Sequence, residues 1–123
     1  MKKLPKTTAK RSPCPVATAL DVVGDKWSLL IVRDIGFFGY HRNKDFQNRR
    51  EGIPTNILAA RLKSLHNSGL LRKERYQSNP PRYEYHLTPA GEALLPVVRE
   101  MARWSAENVA GIRLPNKTRA APR

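Results

Sequence analysis

Apolar residues recur along this chain at intervals that switch from helical to alternating and back, and the switches divide it into elements. The most informative stretch runs from Gly52 to Leu71, GIPTNILAARLKSLHNSGLL, where Leu58, Leu62 and Leu65 fall at i, i+4 and i+7. At about 100° per residue, the opposite side carries Asn56, Ala59, Ala60, Lys63 and Asn67, with Thr55 and Arg61 on its flanks. The spacing predicts a helix with one narrow buried stripe, opened by Pro54 in its first turn and stopped at Gly69. Upstream, Val16, Ala19, Leu20 and Val23 predict a short first helix ended by Gly24. Asp25 is then expected to cap a second helix, KWSLLIVRDIGFF. Its Trp27, Leu30, Ile31, Ile35 and Phe38 form a wide stripe, which puts this helix at the centre of the core. Gly39 to Asn43 reads as a connector, and Asn43 to Asn48 as a short third helix pinned by Phe46.

Beyond Gly69 the period changes. Leu70–Gln77 and Arg82–Thr88 are both β-prone, and the second alternates Tyr83, Tyr85 and Leu87 against Glu84 and His86. Ser78-Asn79-Pro80-Pro81 is expected to continue neither strand and to form the loop of a β-hairpin. Arg72, Lys73, Arg75 and Arg82 give that hairpin a basic rim. Thr88-Pro89-Ala90-Gly91-Glu92 then supplies an N-cap, a proline at the first helical position and a first-turn acid. The helix it opens has Leu94, Leu95, Val98, Met101, Ala102 and Val109 on one broad side, with Trp104 beside them, and Pro96 predicts a kink or a later start. So much apolar surface exceeds what one small domain covers, and the helix is expected to pair with its own copy in a second subunit. The fold class is mainly α with a small β-hairpin (α+β): a short helix, a glycine-containing turn, a helix with a polar presented face, and a wing.

Length and charge narrow the partner. The 123 residues suit one domain, with 40% hydrophobic positions enough for a modest core. Against 10 Asp+Glu stand 23 Lys+Arg, a formal net charge of +13, which makes nucleic acid the leading partner. An anionic membrane surface is the rival. No helix has a large apolar face backed by lysines and arginines, and no apolar run approaches the roughly 18 residues of a spanning segment. Residues 1–13 read as a flexible basic arm containing Lys2, Lys3, Lys6, Lys10 and Arg11, without the apolar stretch of a signal peptide, so a cytoplasmic location is expected. Residues 14–110 form the folded domain, and 111–123, with Lys117 and Arg119, a basic tail expected to be disordered. The single cysteine, Cys14, excludes an intrachain disulfide framework and fits a reducing compartment.

Catalysis finds no support. His41, His66 and His86 are scattered without metal-ligand spacing, and there is no glycine-rich phosphate loop, no GxSxG elbow and no paired-carboxylate arrangement. The expectation is a binding protein without metal or cofactor.

Three segments in order carry a family resemblance: CPVATALDVVGDKWSLLIVRDI, EGIPTNILAARLKSLHNSGLL and YQSNPPRYEYHLTPAGEALLPVV, with Trp104 in the last helix. Together, over Cys14 to Trp104, the chain resembles the HxlR-type winged helix-turn-helix regulators, small prokaryotic transcription factors. The resemblance implies a homodimer joined through its first and last helices, bound at the nucleoid to a double-stranded DNA operator with imperfect two-fold symmetry. It implies that 54–67 is the recognition helix and 78–82 the wing tip. Three positions depart from the family pattern: Asn43, where an aromatic or apolar residue is usual; Arg49-Arg50, in a normally less basic stretch; and Ala60, where a polar or charged residue is common.

On that reading Thr55 and Asn56 are candidates for base readout, Asn by bidentate pairing with adenine, and Ala59 for contact with a thymine methyl. Arg61, Lys63, Arg49, Arg50 and Lys73 are assigned to phosphates, which set register without reading sequence, and Arg82 to an adjacent minor groove. Cys14, ahead of Pro15 and a helix start, is the candidate for an oxidant- or electrophile-sensing thiol, against the plainer role of a small apolar residue at the dimer seam. A groove between the core and the dimerising helices is where a small-molecule inducer is expected. Two other classes compete with a sequence-specific regulator, more naturally a repressor. One is a sequence-neutral, architectural nucleic-acid binder; the other is a protein-interaction module with incidental basic tails.

Overall fold

The computed structural model describes residues 3, 4 and 12–115, and the expectations for Lys2, Lys6, Lys10, Arg11, Lys117 and Arg119 lie outside them. In chain order the elements are α1 (Pro15–Val23), α2 (Ser28–Phe38), α3 (Asn43–Gln47), α4 (Thr55–Asn67), β1 (Leu71–Ser78), β2 (Pro81–Leu87), α5 (Pro89–Glu92) and α6 (Leu95–Asn108). The leucine stripe of α4 behaves as its spacing requires: Leu58, Leu62 and Leu65 are buried, and with Val23, Ile31, Ile35, Phe46, Leu70 and Leu71 they make one core. Burying such side chains stabilises the fold by roughly 1.5–3 kcal/mol each, so α2 and α4 are held chiefly by this shared interior. From the other end of the chain, Leu4 packs against the same core.

Several boundaries differ from those the sequence suggests. Helix α2 starts at Ser28 rather than at Lys26, and its N-cap is Trp27 rather than Asp25, although the Asp25 carboxylate accepts the Trp27 and Ser28 N–H groups, each at 3.0 Å. Trp27, Leu30 and Phe38 are only half-buried, while Val32 is fully buried. Pro54 is the N-cap of α4 rather than a first-turn residue. The last helix is interrupted. Thr88 caps the short α5, accepting the Gly91 N–H at 3.2 Å while its hydroxyl donates to the Gly69 carbonyl at 2.7 Å, and α6 begins only after Ala93-Leu94, with Pro96 in its first turn. Pro96 lacks an N–H that a first turn would leave unpaired in any case, which is why the helix restarts there.

The hairpin is antiparallel, with Leu71 opposite Leu87, Lys73 opposite Tyr85, and Glu74 opposite Glu84. Ser78 pairs with Pro81, so both strands lie one residue nearer the tip than expected, at unchanged length, and the tip shrinks to Asn79-Pro80. Pro81 is tolerated because a residue beside the turn need not donate to the ladder. The register slips at Tyr76, which has no partner between Arg75/Tyr83 and Gln77/Arg82 and forms a bulge. The connector before α3 is more than a link: Arg42 bridges Glu84, and the His41 carbonyl accepts the Tyr85 N–H at 2.8 Å, so it lies beside β2 as a rudimentary third strand.

Candidate nucleic-acid interface

Helices α3 and α4 are separated by a turn in which Gly52 adopts φ +69°, a left-handed conformation that glycine accepts without the Cβ penalty. Two charge clusters fix the geometry of this helix-turn-helix against α2. Arg33 donates to both oxygens of Glu51 in the turn, at 3.1 and 2.9 Å, and to Asp34 Oδ1 at 2.9 Å. Arg49 donates to the same Asp34 oxygen at 3.2 Å, and its guanidinium lies 4.7 Å from the Phe38 ring centroid. Asp34 is only 3% exposed. Burial pushes its carboxyl up from the ordinary aspartate value, against the pull of Arg33 and Arg49. Glu51 moves the other way: the Arg33 hydrogen bond, working against partial burial, holds it below the usual glutamate range. In the second cluster Asp25, just ahead of α2, stands 3.6 Å from Arg61 of α4. Burial alone would raise the Asp25 carboxyl, but the Ser28 hydroxyl, the Trp27 and Ser28 backbone N–H groups and Arg61 together bring it below its ordinary value.

With the turn held in this way, the polar side of α4 faces outward. Thr55, Asn56, Ala59, Ala60, Lys63 and Asn67 are all exposed. No carboxylate lies along the helix, and its N-terminal turn presents Thr55 and Asn56 without a side-chain cap between them and solvent. Lys73 of β1 faces Lys63 and Ala59 across a cleft of about 340 Å³, floored by Leu62 and Tyr85. A second groove, of about 590 Å³, continues beneath the wing between Lys44 at the start of α3 and Arg82, with Tyr76 and Tyr83 in its wall. Lys63, Lys73, Lys44 and Arg82 therefore mark a cationic path from α4 to the hairpin.

The candidates taken from the sequence thus divide. Thr55, Asn56, Ala59, Lys63, Arg50, Lys73 and Arg82 are exposed on or beside this surface. Arg49 and Arg61 are engaged within the fold, by Asp34 and Asp25 respectively, and act in positioning the turn and α4. Arg82 sits one step behind the tip, opposite Gln77, rather than at its apex. Sequence reasoning passed over Lys44, although its place two residues from the buried Phe46 on a short helix is a signal of exposure, and Arg42, whose guanidinium lies 3.7 Å from the Tyr76 ring centroid. Cys14 is exposed at the start of α1, well apart in the chain from these cations. Among the described residues no helix is long and apolar enough to cross a membrane.

Comparison with known proteins agrees with this architecture. An HTH-type transcriptional regulator of Mycobacterium bovis, Mb3122, itself uncharacterized, is 40% identical over 92 residues, covering 75% of this chain and 57% of that protein. YdeP of Bacillus subtilis, likewise an uncharacterized HTH-type transcriptional regulator, is 34% identical over 91 residues, 74% of this chain and 70% of its own length. Among solved structures, the redox regulator HypR in its reduced form superposes with a TM-score of 0.70 at 31% identity, covering 79% of this chain and 95% of HypR. These relatives are regulators rather than enzymes, and the match of residues 22–112 to the HxlR-like helix-turn-helix family completes the assignment: this chain belongs to that family and is a winged helix-turn-helix transcriptional regulator.

Proposed function

We propose that the protein is a homodimeric, sequence-specific repressor that binds a pseudo-palindromic DNA operator in the prokaryotic cytoplasm. The observation that carries this reading is the free, carboxylate-free outer side of α4, set beside a cationic hairpin and rigidly oriented through Arg33–Glu51 and Arg61–Asp25. Thr55 and Asn56 meet base edges in the major groove, Ala59 meets a thymine methyl, and Lys63, Arg50 and Lys73 meet phosphates. Arg82 enters the neighbouring minor groove. Two copies joined through α1 and α6 space their recognition helices about 34–36 Å apart, one turn of duplex. With on the order of eight phosphates neutralised per dimer, log K falls with log salt at a slope near −7.

Nuclease footprinting of the DNA next to the protein's own coding region, in excess random DNA, tests this. A protected, two-fold symmetric site that survives competition supports the reading; protection that random DNA abolishes replaces it with the sequence-neutral binder. A complete absence of DNA retardation at moderate salt points instead to a protein-interaction module. For the releasing signal, the exposed thiol of Cys14 is the candidate, supported by the likeness to HypR, a redox regulator. Operator binding that is lost on mild oxidation in the wild type and kept in Cys14→Ser is the expected result. An identical response in both proteins returns Cys14 to a packing role and shifts attention to a small-molecule inducer between the core and the dimerising helices.

A further inference from the structure

The outer face of the hairpin gathers three side chains that DNA binding does not use. Cross-strand register sets Glu74 directly opposite Glu84 and Arg72 opposite His86, so all four project from one side of the sheet. Two carboxylates directly opposite one another repel, and here cations hold them from the edges. Glu84 Oε2 accepts from Arg42 Nε at 3.0 Å, and Glu74 Oε2 accepts from Arg72. The remaining oxygen of each carboxylate turns to a single atom. His86 Nε2 lies 3.3 Å from Glu84 Oε1 and 3.7 Å from Glu74 Oε1, and the three ligand atoms lie within 4.8 Å of one another. The His86 ring is stacked on His41 at a centroid separation of 4.2 Å, and His41 is itself anchored with Nδ1 2.9 Å from the Tyr85 carbonyl oxygen.

We propose that Glu74, Glu84 and His86 form a divalent transition-metal site, and that Zn²⁺ is the ion it fits. Tetrahedral zinc with bonds of about 2.0–2.1 Å places neighbouring ligand atoms about 3.4 Å apart, close to the two separations observed from His86. An imidazole with two carboxylates favours zinc-like ions over magnesium or calcium, which take oxygen alone, and a water completes the fourth position. Coordination through Oε1 leaves both arginine ion pairs intact, because these use Oε2. The ion takes the place of any proton on His86 Nε2 and neutralises the opposed carboxylates. It cross-links β1 to β2 and, through Arg42, ties the hairpin to the segment leading into α3.

The test uses the full-length protein, stripped with a chelator and then titrated with Zn²⁺ by calorimetry and with Co²⁺ by visible absorption. The wild type is expected to take up one equivalent per chain at micromolar metal and to show the d–d bands of low-coordinate cobalt. Glu74→Gln and His86→Asn are each expected to weaken uptake by about tenfold or more, while Cys14→Ser leaves it unchanged. Circular dichroism of each variant checks that the fold is intact; Glu74 is exposed, and His86 is half-buried against His41. No uptake by the wild type, or uptake that His86→Asn leaves unaltered, overturns the proposal; in the second case the metal sits elsewhere on the chain.

Discussion

Arg49 and Arg50 are adjacent in the chain but differ in their surroundings. Arg49 reaches back to the buried Asp34, whereas Arg50 is exposed to solvent in the turn before α4. A run of cations in the sequence does not disclose that division, since the carboxylates concerned lie 15 residues away for Arg49 and 18 for the Arg33–Glu51 pair. The outward set on α4 is legible, because helical period fixes a face whenever its opposite side is apolar. Asn56→Ala is therefore expected to lower operator affinity by ~1–3 kcal/mol, while random-sequence DNA binding and the melting temperature stay level; fluorescence anisotropy on both DNAs measures it. Acid titration reads the anchoring pair. Glu51 has a folded pKa depressed by Arg33, so its contribution to stability is present above the ordinary glutamate value and is lost as pH falls through the lower, folded one. Asp34, raised by burial, has the opposite sign: the stability it lends is complete below its ordinary value and is lost as pH rises through the folded one. Urea midpoints recorded across the acid range should fall less steeply in Glu51→Gln than in the wild type.

Whole elements are more legible than their ends. Periodicity locates α1, α2, α4 and both strands, because burial imposes the repeat and burial is what the apolar pattern records. It does not show the Arg42–Glu84 bridge or the Tyr76 bulge, as a single backbone pairing leaves no side-chain period behind. Nor does histidine spacing reveal that His41 and His86 stack, since the connector and β2 bring them together across the sheet. The junction between α4, β1 and α5 offers a sharp test of packing. A Cβ added at Gly91 would stand 2.3 Å from the Leu70 carbonyl oxygen, a backbone atom that cannot swing aside. Gly91→Ala should cost roughly 1–3 kcal/mol, measured as a lower urea midpoint with unchanged m-value. For the wing itself, Lys73→Ala is expected to weaken binding to all DNA sequences alike and to make the salt slope shallower by about 1 for each phosphate left unneutralised.

At the scale of the molecule, the net charge of +13 points to the class of partner, and the fold supplies what charge alone cannot, a direction. The cations of α4 and the hairpin lie along one path, while, Tyr76 of the hairpin apart, the large exposed apolar side chains belong to other elements, among them Val16 and Leu20 on α1 and Met101 and Trp104 on α6, the last 63% exposed. Joining two copies through α1 and α6 would cover them. Trp104→Asp is expected to yield a monomer by light scattering with an unchanged circular dichroism spectrum, and to lower affinity for a two-half-site operator far more than for an isolated half-site.

Helix α2 has a consequence at this same scale. Gly36 lets Leu95 of α6 settle against its backbone, and one turn away Arg33 grips Glu51 ahead of α4. Both junctions are borne by a single rod of 11 residues. In the proposed dimer, a rocking movement delivered at α6 would be carried along this shaft to the turn before α4, with no loop in between to absorb it.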